Sequence, residues 1–412
     1  MGFLKVLCSA LLVCSTLSLT SCMNSGAFTA AQQPGAASSP TGNSAVSSAA
    51  SSQILYVAHT QTIGTYVVDP ASGSITQIGS DVTVQNTASP GAGPLNVTVS
   101  PNDRFLFVNS FDTSGNPLLG IFATDGHGVP QLPAIQTVNL APFEQFSFAP
   151  NGKWAYSLIQ TTDESTQMTS AIIHQWSIDP ATGKLSNTGR QVSDPPAQFS
   201  NYSINGTVLG GTVLLSSSEH SIDGFDDVGY LGHSIDPETG ALGSPAKFYG
   251  VGRAWGDFQT TAFGSKYIAT FFNGQEQRLP ENTYISILTE DAVPLFRCSS
   301  AMSDACLNPA DNSGSIEFDR SGNFLFVNDV VRHQIRVLQI DAEHSVLRDT
   351  GNAIPFMGEL FFSPDDSLVF AISDGDALVH VFSFDKSSGA LMAKGSPTAL
   401  PIPSEIVPST RN

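Results

Sequence analysis

The sequence predicts an all-β fold made of a repeated four-stranded unit, and three observations support this prediction. First, the 412 residues include 36 Gly and 25 Pro but only 13% charged residues, a composition that disfavours helical bundles and coiled coils. Second, short segments rich in Val, Ile, Phe, Tyr and Thr alternate with turns containing Gly, Pro, Asn and Asp, as strands and hairpins do. Third, two turn motifs recur along the chain, which indicates an internal repeat.

The first recurring turn separates the first and second strands of the unit. Pro presets the backbone of such a turn, and Asn or Asp bonds back to the main chain, so that the chain reverses within four residues. An apolar strand such as FLFVN follows it. The copies of this turn are Ser100–Asp103, Ala149–Gly152, Asp319–Gly322 and Ser363–Asp366.

The second recurring turn joins the third and fourth strands and reads Asp-Pro-x-Thr-Gly or a close variant. We expect its Gly to adopt a positive φ, which closes a bulged hairpin. The copies of this turn begin at Asp69, Asp179, Asp236 and Asp385.

The spacing of the units predicts the number of blades and how the ring closes. First strands centre near Val99, Phe148, Ile204, Ala262, Phe318 and Phe362, about 53 residues apart. A seventh unit is split, because Ile54–Val57 begins the domain as a second strand and Glu405–Val407 is a lone first strand. Pairing these two segments removes the exposed sheet edges. The prediction is an all-β, seven-bladed β-propeller of four-stranded blades over residues 53–412, closed by its N- and C-terminal strands.

Residues 1–22 have the anatomy of a secretory signal peptide. Lys5 precedes an apolar run that ends at Leu19, and small residues follow. The last four residues, LTSC, resemble a bacterial lipobox, in which cleavage leaves a lipidated Cys22 as the new N-terminus. We therefore expect attachment to a membrane through a lipid on Cys22, in the cell envelope, either in the periplasm or at the outer surface. The alternative is an ordinary signal peptide that happens to contain a cysteine.

Residues 23–52 consist almost wholly of Ser, Ala, Gly, Gln, Asn, Thr and Pro, which predicts a flexible tether. Two cysteines, Cys298 and Cys306, then remain for the propeller, and an oxidising compartment favours a local disulfide between them. Their spacing, without a nearby His, disfavours zinc, so no metal is predicted.

The charge balance excludes one class of partner. The chain has 17 basic and 36 acidic residues, a net charge of −19, whereas nucleic-acid binding depends on Lys and Arg that neutralise phosphates. No nucleic-acid partner is therefore predicted, and we expect a soluble monomeric domain. The sequence contains no P-loop and no dinucleotide fingerprint, so no cofactor is predicted.

The Ser-Pro-Asn turn, the FLFVN strand and the DPATGKL turn together resemble the lactonase-type seven-bladed propellers. That family includes 6-phosphogluconolactonase-like enzymes, carboxymuconate cyclases and surface proteins with YVTN-type repeats. The resemblance covers roughly residues 53–409 and implies the fold, because these turns are shared by active and inactive members. The family's enzymes resemble one another in a Pro-Arg-His stretch before a first strand, but the corresponding PFEQF (142–146) and FMGEL (356–360) lack the Arg-His pair. No catalytic residue is therefore carried over.

A candidate site lies at the mouth of the central channel. Loops that follow second strands and precede first strands are expected on this one face, and their polar residues predict a ligand-binding ring. The alternative is that these positions are polar merely because they are solvated. The predicted binding residues are Asn96, Gln145, Asn201, Gln259, Asn328, Glu359 and Glu405. The catalytic candidates, chosen because an oxyanion needs a cation and water needs an acid–base group, are Arg332, His333, Arg253 and Glu359.

A second stretch combines Ser, His and carboxylates. It runs from Ser216 to Asp227, and we interpret it as one long solvated loop, since a catalytic triad draws its members from convergent elements.

The sequence thus favours a binding module that presents its channel mouth to a small molecule or an envelope protein. The alternative is a lactonase-type hydrolase or cyclase acting on a small sugar-derived or carboxylated lactone, and a third class is a purely structural surface protein. Convergence of Arg332, His333 and Arg253 in one pocket would favour catalysis.

Overall fold

The structure is a computed structural model, and its described part is built from thirty β-strands without an α-helix. The described residues are 53–59, 61–84, 96–112, 114, 116–141, 144–166, 168–194, 197–198, 200–208, 213–222, 225–244, 247–254, 259–263, 266–272, 283–288, 294–299, 313–329, 332–344, 346–373, 378–400 and 405–410. The predicted signal peptide with Cys22, the tether before residue 53 and Cys306 lie outside these ranges.

The described strands form seven antiparallel sheets in series, which confirms the predicted β-propeller. Blade 1 contains β1 (Gln53–Ala58), β2 (Thr62–Val68), β3 (Ile75–Gln77), β4 (Val82–Thr83) and the C-terminal β30 (Glu405–Thr410). Blade 2 contains β5 (Asn96–Val99), β6 (Phe105–Phe111), β7 (Pro117–Ala123) and β8 (Gln136–Asn139). Blade 3 contains β9 (Gln145–Phe148), β10 (Trp154–Asp163), β11 (Met168–Ile178), β12 (Leu185–Ser193) and β13 (Ala197–Gln198).

The remaining four blades each have four strands. Blade 4 contains β14 (Ser200–Val208), β15 (Val213–Ile222), β16 (Phe225–Ser234) and β17 (Lys247–Ala254). Blade 5 contains β18 (Gln259–Phe263), β19 (Ile268–Phe272), β20 (Thr283–Leu288) and β21 (Pro294–Ser299). Blade 6 contains β22 (Ser313–Phe318), β23 (Phe324–Asp329), β24 (Gln334–Asp341) and β25 (Val346–Ile354). Blade 7 contains β26 (Gly358–Phe362), β27 (Leu368–Ser373), β28 (Leu378–Asp385) and β29 (Ala390–Ala399).

Blade 1 is assembled from both ends of the domain. The N-terminal β1 pairs antiparallel with the C-terminal β30, with Tyr56 opposite Val407 and Gln53 opposite Thr410. The two half-units recognised in the sequence therefore form one sheet, and β30 is its innermost strand.

The hydrophobic core lies between adjacent blades. On β26, Phe361 packs with Leu55 and Val57 of blade 1, whereas its neighbour Phe362 packs with Phe324 and Phe326 of blade 6. Successive side chains of a strand point to opposite faces, so each inner strand supplies apolar groups to both of its neighbours. Each such buried Phe contributes roughly 1.5–3 kcal/mol to stability.

The second recurring turn docks its blade onto the preceding one, as the contact between blades 4 and 3 shows. Gly240, in the turn of blade 4, has φ of +64°, as predicted for this position. A Cβ on Gly240 would lie 2.4 Å from Cδ2 of Trp154 in blade 3. The Tyr156 hydroxyl donates to the Gly240 carbonyl at 2.9 Å, so the contact combines close packing with a cross-blade hydrogen bond. Glycine is required here both by its backbone conformation and by the lack of space.

The stretch from Ser216 to Asp227, which we interpreted as a long loop, is instead a hairpin. Ser216 and His220 lie within β15, and Asp226 and Asp227 lie within β16, with Ser217 opposite Tyr230. The loop interpretation was wrong because Ser, Glu, His and Asp can occupy a strand as well as a loop, so polar composition alone does not distinguish the two.

None of the described segments forms a helix long and apolar enough to cross a membrane. Cys298 lies on β21, but its proposed disulfide partner lies outside the described residues.

Candidate functional site

The antiparallel blades define two ends of the central channel. Inner strands begin, and second strands end, at the end that we call the mouth; both recurring turns lie at the opposite end, which we call the turn side. Six of the seven predicted binding residues lie at the mouth ends of inner strands, and Asn328 lies at the mouth end of β23. The inner-strand positions are Asn96, Gln145, Asn201, Gln259, Glu359 and Glu405.

Asn328 joins blade 6 to blade 7 at the mouth. Its Nδ2 donates to the carbonyl of Gly358 at 2.7 Å, and its Oδ1 accepts from the Gly358 N–H at 3.3 Å. Its side chain is buried, with 5% exposure. A Cβ on Gly358 would lie 1.7 Å from the Ile372 carbonyl oxygen, so only glycine allows this strand start. The paired hydrogen bonds fix the backbone next to Glu359, whose side chain is exposed.

Arg332, a catalytic candidate, is held by a carboxylate three residues earlier. Its Nη1 lies 2.6 Å from Oδ2 of Asp329, and its backbone N–H donates to Asp329 Oδ1 at 3.0 Å. The Asp329 side chain has no exposed surface, whereas that of Arg332 is 51% exposed. His333 follows in the same loop, exposed and with φ of +51°. The guanidinium is therefore already engaged with an internal anion.

Two carboxyl groups lie on adjacent inner strands below this loop. Burial above all raises the pKa of Glu317 on β22 to about 8, and the charge of Glu359 on β26 raises it further. Phe318 and Phe362 directly precede equivalent turns, so Glu317 lies two residues closer to the turn side than Glu359, about 7 Å along the strand. Near neutral pH the channel wall thus presents a protonated carboxyl at Glu317 together with the carboxyl of Glu359.

The third cationic candidate is placed elsewhere. Arg253 lies on β17, the outermost strand of blade 4, opposite Asp227. Blade 5 stands between it and the blade 6 loop that carries Arg332 and His333. The structure therefore brings Arg332 and His333 together in one loop and leaves Arg253 in a different blade.

Glu317 is a candidate that reasoning from the sequence missed. A signal was present, because the residue two before the first turn is Thr98, Ser147 or Phe361 in other blades, and only here among these is it a carboxylate. A charged residue where Phe361 packs into the core between blades indicates a desolvated carboxyl.

The mouth of blade 2 is built differently from that of blade 6. Asn109 occupies the place in β6 that Asn328 has in β23, but its Oδ1 is buried without a hydrogen-bond partner among the residues that the structure describes. Beyond it, Asp112 organises its own loop, accepting from the backbone N–H groups of Ser114 and Asn116 at 2.8 and 2.9 Å. The pair of hydrogen bonds that Asn328 makes across blades is therefore not a general feature of the repeat.

Within the described ranges, no group of three or more His, Cys, Asp or Glu side chains is placed to hold a metal ion. The mouth between blades 6 and 7 offers a protonated carboxyl, a second carboxyl, a buried amide and an arginine paired to Asp329. This set can donate and accept hydrogen bonds and can move a proton, but it presents little uncompensated positive charge.

The fold resembles that of several solved propellers at low sequence identity. The periplasmic gluconolactonase of Pseudomonas aeruginosa matches with a TM-score of 0.57 and 15% identity, over 87% of this chain and 99% of that one. A candidate 6-phosphogluconolactonase from Bacteroides fragilis matches with a TM-score of 0.53 and 13% identity, over 88% and 99%. A protein from Lactobacillus plantarum matches with a TM-score of 0.51 and 15% identity, over 87% and 99%.

No protein-family model matches the sequence, and no curated protein matches it. The structural matches establish the lactonase-like propeller fold and leave the activity to be argued from the site.

Proposed function

We propose that this chain is a ligand-binding propeller that takes a small, uncharged, hydroxyl-bearing molecule at the mouth between blades 6 and 7. One observation carries this proposal: the inner strands present the carboxyls Glu359 and Glu317, while the neighbouring Arg332 is paired with Asp329. The predicted ring of amide and carboxylate positions supports the same interpretation.

The chemistry of these groups selects the class of ligand. A protonated carboxyl donates one hydrogen bond and accepts others, and an ionised carboxylate only accepts, so together they suit hydroxyl and carbonyl groups. An anionic ligand would meet Glu359 and a chain of net charge −19, and the neighbouring Arg332 is already paired with Asp329. Neutral polyols and lactones fit better than phosphorylated or carboxylated ones.

The location belongs to the same proposal. The lipobox-like end at Cys22 and the tether of residues 23–52 support an anchored protein in the cell envelope. We propose that the propeller works there as a monomer that binds a small molecule, with an envelope protein as the alternative partner.

Titration calorimetry of the full chain against glucono-1,5-lactone, gluconate and 6-phosphogluconate tests this function. We expect the lactone to bind and both anions to bind at least tenfold more weakly. Glu359→Gln should weaken lactone binding, whereas Glu343→Gln, an exposed glutamate on the turn side of the neighbouring blade 6, should not. The proposal would be contradicted if none of the three compounds bound.

A second candidate function is lactone hydrolysis, and the pKa of Glu317 favours it. Burial raises the pKa of Glu317 to about 8, so that it holds a proton near neutral pH and can act as an acid beside the carboxyl of Glu359. Glu359 would take a proton from water as the water oxygen attacks the lactone carbonyl carbon. Glu317 would give a proton to the ring oxygen as the C–O bond breaks, which leaves the hydroxy acid. The names of the Pseudomonas aeruginosa and Bacteroides fragilis proteins support testing this activity.

Proton release from a panel of neutral and phosphorylated lactones, followed against the spontaneous rate, distinguishes the two functions. Turnover above that rate, lost in both Glu359→Gln and Glu317→Gln, would make the chain a lactonase. Lactone binding without turnover would leave the binding function alone.

A further inference from the structure

Two aspartates occupy turn positions that other blades give to glycine. In the first recurring turn, the fourth residue is Gly152 in blade 3 and Gly322 in blade 6, both with φ of +66°. Blades 2 and 7 instead have Asp103, with φ of +55°, and Asp366, with φ of +53°. Glycine adopts this conformation without a steric penalty, whereas aspartate incurs one. A compensating contact is therefore expected at each aspartate.

Both aspartates reach back to the preceding blade. Asp366 Oδ1 accepts from the backbone N–H of Arg320 in blade 6 at 3.3 Å, and the Arg320 Nε lies 3.9 Å away. The Arg320 Nη2 also donates to the Phe362 carbonyl of blade 7 at 3.2 Å. In the same way, Asp103 Oδ1 accepts from the hydroxyl of Ser409 in blade 1.

Both contacts lie at the turn-side end of the channel, and the Asp103 contact lies at the seam where the ring closes. Ser409 lies on β30, the strand whose pairing with β1 completes blade 1, and it is 2% exposed. The Asp366 contact joins blades 6 and 7, and the Asp103 contact joins blades 1 and 2.

We propose that Asp103 and Asp366 form a clasp that holds neighbouring blades together on the turn side, with Asp103 keeping the C-terminal strand β30 seated between β1 and blade 2 and Asp366 keeping blade 7 against blade 6. A terminal strand is otherwise the element most prone to local opening, because it is held on its own sheet by a single neighbour. The clasp grips this strand through a side chain of the next blade. Its aspartates replace glycine because glycine would close the turn but could not bind the neighbour.

Glycine and asparagine substitutions separate the clasp from a simple turn role. If the aspartates only close their turns, then Asp103→Gly and Asp366→Gly should stabilise the protein or leave it unchanged, because glycine suits a positive φ. If they form the clasp, both substitutions should destabilise it. Asp103→Asn and Asp366→Asn retain an acceptor oxygen and tolerate this backbone conformation, so they should resemble the unmodified chain.

Amide hydrogen exchange of the full chain provides the readout. We expect at least tenfold faster exchange in β30 for Asp103→Gly and in β26 for Asp366→Gly, with β10 and β11 of blade 3 unchanged as an internal control. Ser409→Ala removes the donor without altering any positive-φ residue, and it should reproduce the effect of Asp103→Gly. If the glycine variants fail to fold, Ser409→Ala decides the matter alone. Unchanged or slower exchange in β30 would overturn the clasp.

Discussion

Asn328, at the end of a blade 6 strand, binds the backbone of Gly358 in blade 7 through both polar atoms of its side-chain amide. The two blades are separate sheets, and this one side chain joins their backbones at the channel mouth. Because the amide is buried, each of its bonds is protected from competition by water.

Asn328→Ala should lower the free energy of unfolding by about 2–3 kcal/mol, because it removes two hydrogen bonds and leaves the backbone groups of Gly358 unsatisfied. Urea denaturation measures the effect. Asn139→Ala, on an exposed position of β8, is the matched control and should change stability by less than about 0.5 kcal/mol. Equal effects of the two substitutions would show that the cross-blade amide has no special role.

Gly240→Ala tests the docking of blade 4 onto blade 3. The new Cβ would meet Trp154 at 2.4 Å on a backbone with φ of +64°, so we expect both steric overlap and backbone strain. Gly189 has φ of +76° but no neighbouring atom within 4 Å, so Gly189→Ala measures the strain alone, about 1 kcal/mol. Thermal unfolding should show a loss at least twice as large for Gly240→Ala, and a similar loss for both would refute the packing argument.

Stability should fall as the pH rises from about 4.5 to about 8, because of Glu317. Its pKa is about 8 in the folded chain and 4.5 ordinarily, so in this window the native state holds a proton that the unfolded state has lost. Asp366 acts in the same direction between 3.8 and about 6. We expect a decrease of on the order of 2–3 kcal/mol between pH 5.5 and 8.

Urea denaturation across this pH range, with Glu317→Gln beside the unmodified chain, measures the effect. The amide mimics the protonated carboxyl, so the variant should lose most of the slope and be the more stable protein at pH 8.5. The opposite contribution comes from Asp341 and Asp385, whose hydrogen bonds lower their pKa values to about 2, so that their stabilisation is lost as the pH falls from 3.8 through 2. A slope unaffected by Glu317→Gln would assign the titration to other groups.

Two ion pairs of equal length should differ in their contribution to stability. Arg332–Asp329 and Arg348–Asp341 both measure 2.6 Å, and both arginines are about half exposed. The Asp329 carboxylate is fully buried, whereas that of Asp341 is 20% exposed, so Arg332→Ala leaves the more costly unpaired charge. We expect a loss of about 2 kcal/mol for Arg332→Ala and less than about 1 kcal/mol for Arg348→Ala by urea denaturation. The reverse order would contradict this account.

The repeat was accessible from the sequence because its signals are local. Turn glycines, Asp-Pro pairs and alternating strands depend on neighbours within five residues, and the split seventh blade followed from two incomplete units at the chain ends. The structure confirmed that pairing through β1 and β30. The αL aspartates were not anticipated, since their partners Arg320 and Ser409 are contributed by other blades.

The site was less accessible because it depends on contacts between blades. The engagement of Arg332 by Asp329 requires the loop conformation, and the desolvation of Glu317 requires the packing of blade 7 against blade 6. The lipid on Cys22 and the disulfide between Cys298 and Cys306 stay predictions.

The closure of blade 1 also fixes the side of the propeller on which the chain enters its first strand. The chain enters β1 at Gln53 and leaves β30 at Thr410, and these paired residues both lie on the turn side. A membrane anchor joined ahead of Gln53 would therefore be attached at the turn side of the propeller. The rim that carries Asn328, Arg332 and Glu359 lies at the opposite end, so the attachment would leave it uncovered.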